Sequence, residues 1–180
     1  KAANTVVAGD TVFVSAGTYA ERIEVTTNGT SVSPITFTAD TSGGAVILGG
    51  IYARGTYQNY SGFTLNGTGV PGLQANIYLS AGASNSRFTN ITSNGVPGNI
   101  TQMAGSIGTT SPGPSNCTFD SLTLNDWNYN AIQLVGDGHI LSNSTITGSN
   151  GWDCIRISGS NQIIRGNTIR HSNPLRNSLG

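Results

Sequence analysis

The chain has 180 residues, and its eight basic and eight acidic side chains cancel, leaving 9% of positions charged against roughly a quarter in an ordinary globular domain. Zero net charge removes the electrostatic basis for a nucleic-acid partner or an anionic membrane surface, and no apolar stretch approaches the ~18 residues a membrane-spanning helix needs. Glycine, threonine, serine and asparagine fill nearly half of the chain, yet 36% of residues are hydrophobic and recur in short runs, which excludes a disordered polypeptide.

The chain starts at Lys1 with no initiator methionine or signal-peptide pattern, so it reads as a processed or excised chain. Low charge and abundant hydroxyl and amide side chains point to a secreted or cell-surface protein. Residues 1–50 read as irregular first coils. Val12 and Val14 alternate with Thr11 and Phe13 between the turn signals Gly9-Asp10 and Ala16-Gly17, and short apolar runs follow at 35–39 and 46–48.

From residue 51 onward two strand families repeat in step. One reads NIYLSAG (76–82), NITQMAG (99–105), NAIQLVG (130–136) and CIRISG (154–159), so that Ile77 leads to Ile100 and Ile132 to Ile155 at 23-residue spacing. The other reads RFTNITSN (87–94), TFDSLTLN (118–125), ILSNSTITG (140–148) and IIRGNTIR (163–170), placing Phe119, Leu141 and Ile164 at intervals of 22 and 23. One longer interval falls in both families, and the segment 108–116, with two prolines and no apolar residue, is the expected loop insertion.

Short, alternating strands bounded by Gly, Asn and Ser, returning every 22–23 residues and lacking helical spacing, predict an all-β fold. The architecture expected is one continuous parallel β-helix of about seven coils, rising by about 4.8 Å per coil. Cys117 and Cys154 are expected as two free, small buried thiols. His139 and His171 read as surface turn residues without the companions of a zinc site.

Four segments carry a resemblance. Ala8-Gly9-Asp10-Thr11-Val12, Gly17 to Ile23, Pro34 to Ala39 and Val46 to Gly50, with the later IIRGNTI, are similar to the pattern of the right-handed parallel β-helix proteins of the pectin-lyase-like superfamily. The resemblance spans nearly the whole chain. It implies a polysaccharide partner and, for an enzyme, a lyase or hydrolase. Lyases of this type use a Lys or Arg base, often with Ca²⁺ neutralising the uronate carboxylate.

Lys1 is the chain's single lysine, so a lysine base is disfavoured. Arg156 and Arg165 are the candidate bases or carboxylate clamps, with Arg170 behind them, because guanidinium forks match carboxylates. Asp153 is the candidate acid/base carboxylate, and Asp120 and Asp126 are the candidate Ca²⁺ ligands. Trp127, Tyr129 and Trp152 offer aromatic faces to sugar rings, while Tyr78 and Gln133 share an outward column with Tyr52, Thr101 and Arg156. A non-catalytic alternative is a fibre, adhesin or sheath subunit whose open strand edges stack end to end.

Overall fold

The computed structural model describes residues 2–67, 75–95, 105–125, 130–148 and 153–171. After a short 3-10 turn at Ala2–Asn4, the chain lays down strands in threes. The first coil holds β1 (Thr11–Val14), β2 (Gly17–Tyr19) and β3 (Ile23–Val25), the second β4 (Ile35–Ala39), β5 (Ala45–Ile47) and β6 (Ile51–Ala53). Next come β7 (Gln58–Ser61), β8 (Thr64–Asn66) and β9 (Ala75–Leu79), then β10 (Arg87–Thr89), β11 (Thr92–Asn94) and β12 (Gly105–Thr109). The fifth and sixth coils hold β13 (Thr118–Asp120), β14 (Thr123–Asn125), β15 (Asn130–Val135), β16 (Ile140–Ser142), β17 (Thr145–Gly148) and β18 (Asp153–Ser158). A further coil begins with β19 (Ile163–Arg165) and β20 (Thr168–His171).

Every third strand pairs in parallel, giving sheets of seven, seven and six strands. The chain is therefore the all-β parallel solenoid that its repeats predict, although complete coils number fewer than the seven expected.

The core is built from columns. On the third sheet Ile23, Ile51, Ile77, Ile107, Ile132 and Ile155 stack in register. On the first sheet Phe37, Tyr60, Phe88 and Phe119 stack with centroid separations of 5.8, 5.1 and 5.3 Å. A fully buried ring of this size contributes about 1.5–3 kcal/mol by removal of apolar area, and ring pairing adds about 0.5–1.5 kcal/mol.

Turn chemistry fixes the step from the first sheet to the second. Gly62, Asn90, Ser121, Asn143 and Gly166 occupy one turn position with φ between 51° and 76°, a region that Gly and Asn tolerate best. The amide of each of the first four donates to a carbonyl one coil on, at 3.1–3.2 Å.

A second column is polar and buried. The amide of Gln58 donates to Ser86 Oγ at 3.1 Å, that of Cys117 to His139 Nδ1 at 3.2 Å, and that of His139 to Gln162 Oε1 at 3.1 Å. His139 is thus an interior residue, 1% exposed, and not the surface residue its flanking turn signals suggest. Cys117 is buried and free and Cys154 is half-buried and free. Burial pushes the Cys117 thiol up to about 12.

The expected register fails at one place. Ile77 pairs with Ile107, and Ile100 lies outside the described residues. The match between NITQMAG and NIYLSAG misleads because β12 itself, GSIGT, carries one apolar residue and gives a weak strand signal. Consequently Gly108 and Thr109, assigned to the loop insertion near 108–116, belong to β12.

Candidate functional site

The alternation of each third-sheet strand sends isoleucine inward and the following residue outward. Register then stacks Glu24, Tyr52, Tyr78, Gly108, Gln133 and Arg156 in a single outward column. Five interstrand steps make this column roughly 24 Å long. Gly108 holds the position assigned to Thr101, which lies outside the described residues.

The early part of the column is aromatic and cationic. The rings of Tyr52 and Tyr78 lie 5.1 Å apart at 52°. The guanidinium carbons of Arg22 and Arg54 sit 5.7 and 5.2 Å from the Tyr52 ring centroid, within cation–π range. Arg54 Nη1 donates to Glu24 Oε1 at 2.8 Å, and both side chains stay solvent-accessible. Burial and the neighbouring Tyr52 raise the Tyr78 phenol above its ordinary value, so it stays protonated at neutral pH.

Arg22, Glu24 and Arg54 escaped the sequence reading. Their signal was present in R-I-E-V and Y-A-R, where polar residues two apart fall on one side of a strand.

The later part of the column is polar. Asn130 Nδ2 donates to Gln133 Oε1 at 3.2 Å. Asp153 pairs with Asn130 across β15 and β18, while Arg156 pairs with Gln133. Of the expected site residues, then, Tyr78, Gln133 and Arg156 share this face, while alternation puts Asp153, two residues before Ile155, on the other side of β18.

Arg165 and Asp120 do not join them. Both stand on the first sheet, in the column Thr38, Ser61, Thr89, Asp120, Ser142, Arg165. Arg170 lies on the second sheet, in register with Asn66, Asn94, Asn125 and Thr147. The carboxylate of Asp120 accepts from Ser142 Oγ, from Asn143 Nδ2 at 2.8 Å and from Ser121 Oγ at 3.1 Å. The bonds from Ser142 and then Asn143 hold its carboxyl below the usual carboxylate range.

Asp120 therefore caps a turn with both oxygens, and no group of three or more His, Cys, Asp or Glu among the described residues is placed to hold a metal. The described residues do not fit the Ca²⁺ site the resemblance implies. Asp126, Trp127, Tyr129 and Trp152 lie outside the described residues.

The arrangement suits binding better than proton transfer. Aromatic faces, amides and guanidinium groups complement sugar rings, hydroxyls and carboxylates.

No family model and no curated protein matches this sequence. Among solved structures, the chain is similar to a mannuronic acid specific polysaccharide family 6 lyase from human gut microbiota, with TM-score 0.53 and 16% identity over 92% of this chain and 49% of that one. It is also similar to a rhamnogalacturonan lyase, with TM-score 0.51 and 13% identity over 98% of this chain and 57% of that one. The chain thus spans about half the length of these structures, and what it shares with them is the fold.

Proposed function

We propose that this β-helix binds an extended polysaccharide along the outer face of its third sheet. The observation that carries the reading is the unbroken register aligning Tyr52, Tyr78, Gln133 and Arg156. The two polysaccharide lyases of similar fold support it at the level of architecture. An acidic polymer fits best, since Arg22, Arg54 and Arg156 outnumber the single carboxylate of Glu24 among the described residues of this face. Low charge and abundant Asn, Ser and Thr support an extracellular setting.

If the chain contributes to lyase chemistry, Arg156 is its candidate base or clamp. Titration calorimetry with hexamers of mannuronate, galacturonate and mannose tests the binding reading. The expected result is binding of an acidic hexamer that weakens at least about tenfold in Tyr52→Ala. Inertness towards all three probes overturns it. Absorbance from unsaturated uronate product, lost in Arg156→Ala, tests the catalytic part.

The alternative is a stacking solenoid, because the open strand edges at the end of a parallel β-helix favour pairing with another chain. Concentration-dependent growth of long assemblies in sedimentation would favour a stacking solenoid.

A further inference from the structure

The second sheet repeats one outward pattern through five consecutive strands. β8, β11, β14 and β17 open with Thr-Leu-Asn, Thr-Ser-Asn, Thr-Leu-Asn and Thr-Ile-Thr, each with the middle residue buried and its two neighbours turned outward. Register stacks Thr64, Thr92, Thr123, Thr145 and Thr168 in one column. Two residues along each strand, Asn66, Asn94, Asn125 and Thr147 form a second column that ends at Arg170. The columns run over four interstrand steps, roughly 19 Å, and stand roughly 6.6 Å apart.

Strand propensity alone does not produce this regularity. The corresponding outward column of the first sheet runs Thr36, Asn59, Arg87, Thr118, Ile140 and Ile163, and that of the third sheet mixes charges, aromatic rings and a glycine. The second-sheet columns hold no aromatic ring, and no charge before Arg170. Thr64 Oγ1 donates to the Gly43 carbonyl at 3.1 Å, whereas the hydroxyls of Thr92, Thr123, Thr145 and Thr168 make no hydrogen bond among the described residues. Asn125 Nδ2 donates to Asn94 Oδ1 at 2.9 Å, which ties the second column together across its strands. A β-branched threonine is stiff at χ1, so each hydroxyl and methyl keeps a fixed place on the face.

We propose that the outer face of the second sheet binds ice. A soluble sugar chain calls for aromatic faces and an anionic partner for cations, and the columns from β8 to β17 offer neither. What they offer is a rectangular net of hydroxyls and amides, groups that both donate and accept. Its edges of roughly 4.8 and 6.6 Å lie close to the oxygen repeats on the prism face of hexagonal ice. A single hydroxyl holds one water weakly, but hydroxyls fixed at matched repeats engage the lattice together, as linked weak sites do. The strands hold these side chains in place beforehand, so adsorption costs little rotamer entropy. This face is not the third-sheet face, and the inference stands independently of polysaccharide binding.

Freezing and melting points of single ice crystals, read by nanolitre osmometry on the full chain, test the proposal. The wild type should open a gap between the two that widens with protein concentration, and should arrest recrystallisation in a polycrystalline film. Thr123→Tyr, in the middle of the first column, should abolish both effects, because the ring lifts the face off the lattice. Thr118→Tyr, the same change on an outward position of the first sheet, should leave both unchanged. Thermal melts check folding, and should Thr123→Tyr fail to fold, Thr145→Lys at an exposed position of the same column takes its place. A wild type that shows neither effect overturns the proposal. So does a gap that survives in the folded column variant, or one that is lost equally in Thr118→Tyr. Retention on crystalline cellulose or chitin that depends on Thr123, with no effect on ice, overturns it in favour of a crystalline polysaccharide.

Discussion

The imidazole of His139 accepts the backbone amide of Cys117 from the preceding coil at 3.2 Å through Nδ1, and its Nε2 lies 3.4 Å from the Val135 carbonyl. That pairing assigns the proton to Nε2, since Nδ1 must be bare to accept.

Burial lowers the His139 pKa in the folded state, with Val135, Asp137, Cys117 and Pro114 opposing the shift. The folded value thus lies below the unfolded one, roughly 6.5. By linkage, the contribution of neutral His139 is fully present above that pH and is lost as pH falls through the folded value. Urea denaturation across pH 4–8 should show an acid-side loss of stability that flattens in His139→Gln, a side chain that the column already accommodates at Gln58 and Gln162. An identical profile in that variant would contradict the assignment.

Phe88 lies between Tyr60 and Phe119 at 5.1 and 5.3 Å and is fully buried. Phe88→Ala should cost about 3–5 kcal/mol of unfolding free energy, the range for deleting a buried ring. Phe88→Leu should cost visibly less, because it keeps most of the volume. Denaturant midpoints at constant slope measure both.

Asp120 spends both carboxylate oxygens on Ser142, Asn143 and Ser121. Wild type and Asp120→Asn should therefore show the same thermal response to added Ca²⁺. Asp120→Ala should lower the melting temperature with or without the ion. A calcium-dependent stabilisation confined to wild type would restore Asp120 as a ligand.

Arg54 is about half-exposed beside Tyr52 and Glu24. Arg54→Gln should leave the melting temperature nearly unchanged, as for other exposed ion pairs. Binding of an acidic hexamer should weaken and become less sensitive to salt. Calorimetry at two ionic strengths reads this directly.

The fold was legible because its signal is redundant. Ile132 above Ile155 and Leu141 above Ile164 repeat in two separate strand series, and one misplaced residue cannot hide such a period. β12 was misplaced because Ile107 stands alone among small residues and the chain before it is longer than in later coils. His139 was misjudged because Gly136, Asp137 and Gly138 mark a turn, and turn signals do not reveal which neighbouring side chain points inward.

At the site, sequence alignment brought Tyr78, Gln133 and Arg156 into line, since they follow aligned isoleucines. Asp120, Ser142 and Arg165 share a column of the other strand series in the sequence repeats, as they do in the structure; Arg165 and Asp120 are candidates for their charge. Composition cannot say which of three sheets a residue faces, and the structure sets these two on another side.

Each strand pairs only with those directly above and below it, so the molecule is modular along its axis. Tandem duplication of a 23-residue segment such as 133–155 should slot in as one more storey and lengthen the outer face by a single step. Insertions in the connections, by contrast, should alter the rim and leave the stacked columns undisturbed. A lineage carrying this scaffold can therefore tune reach and rim independently.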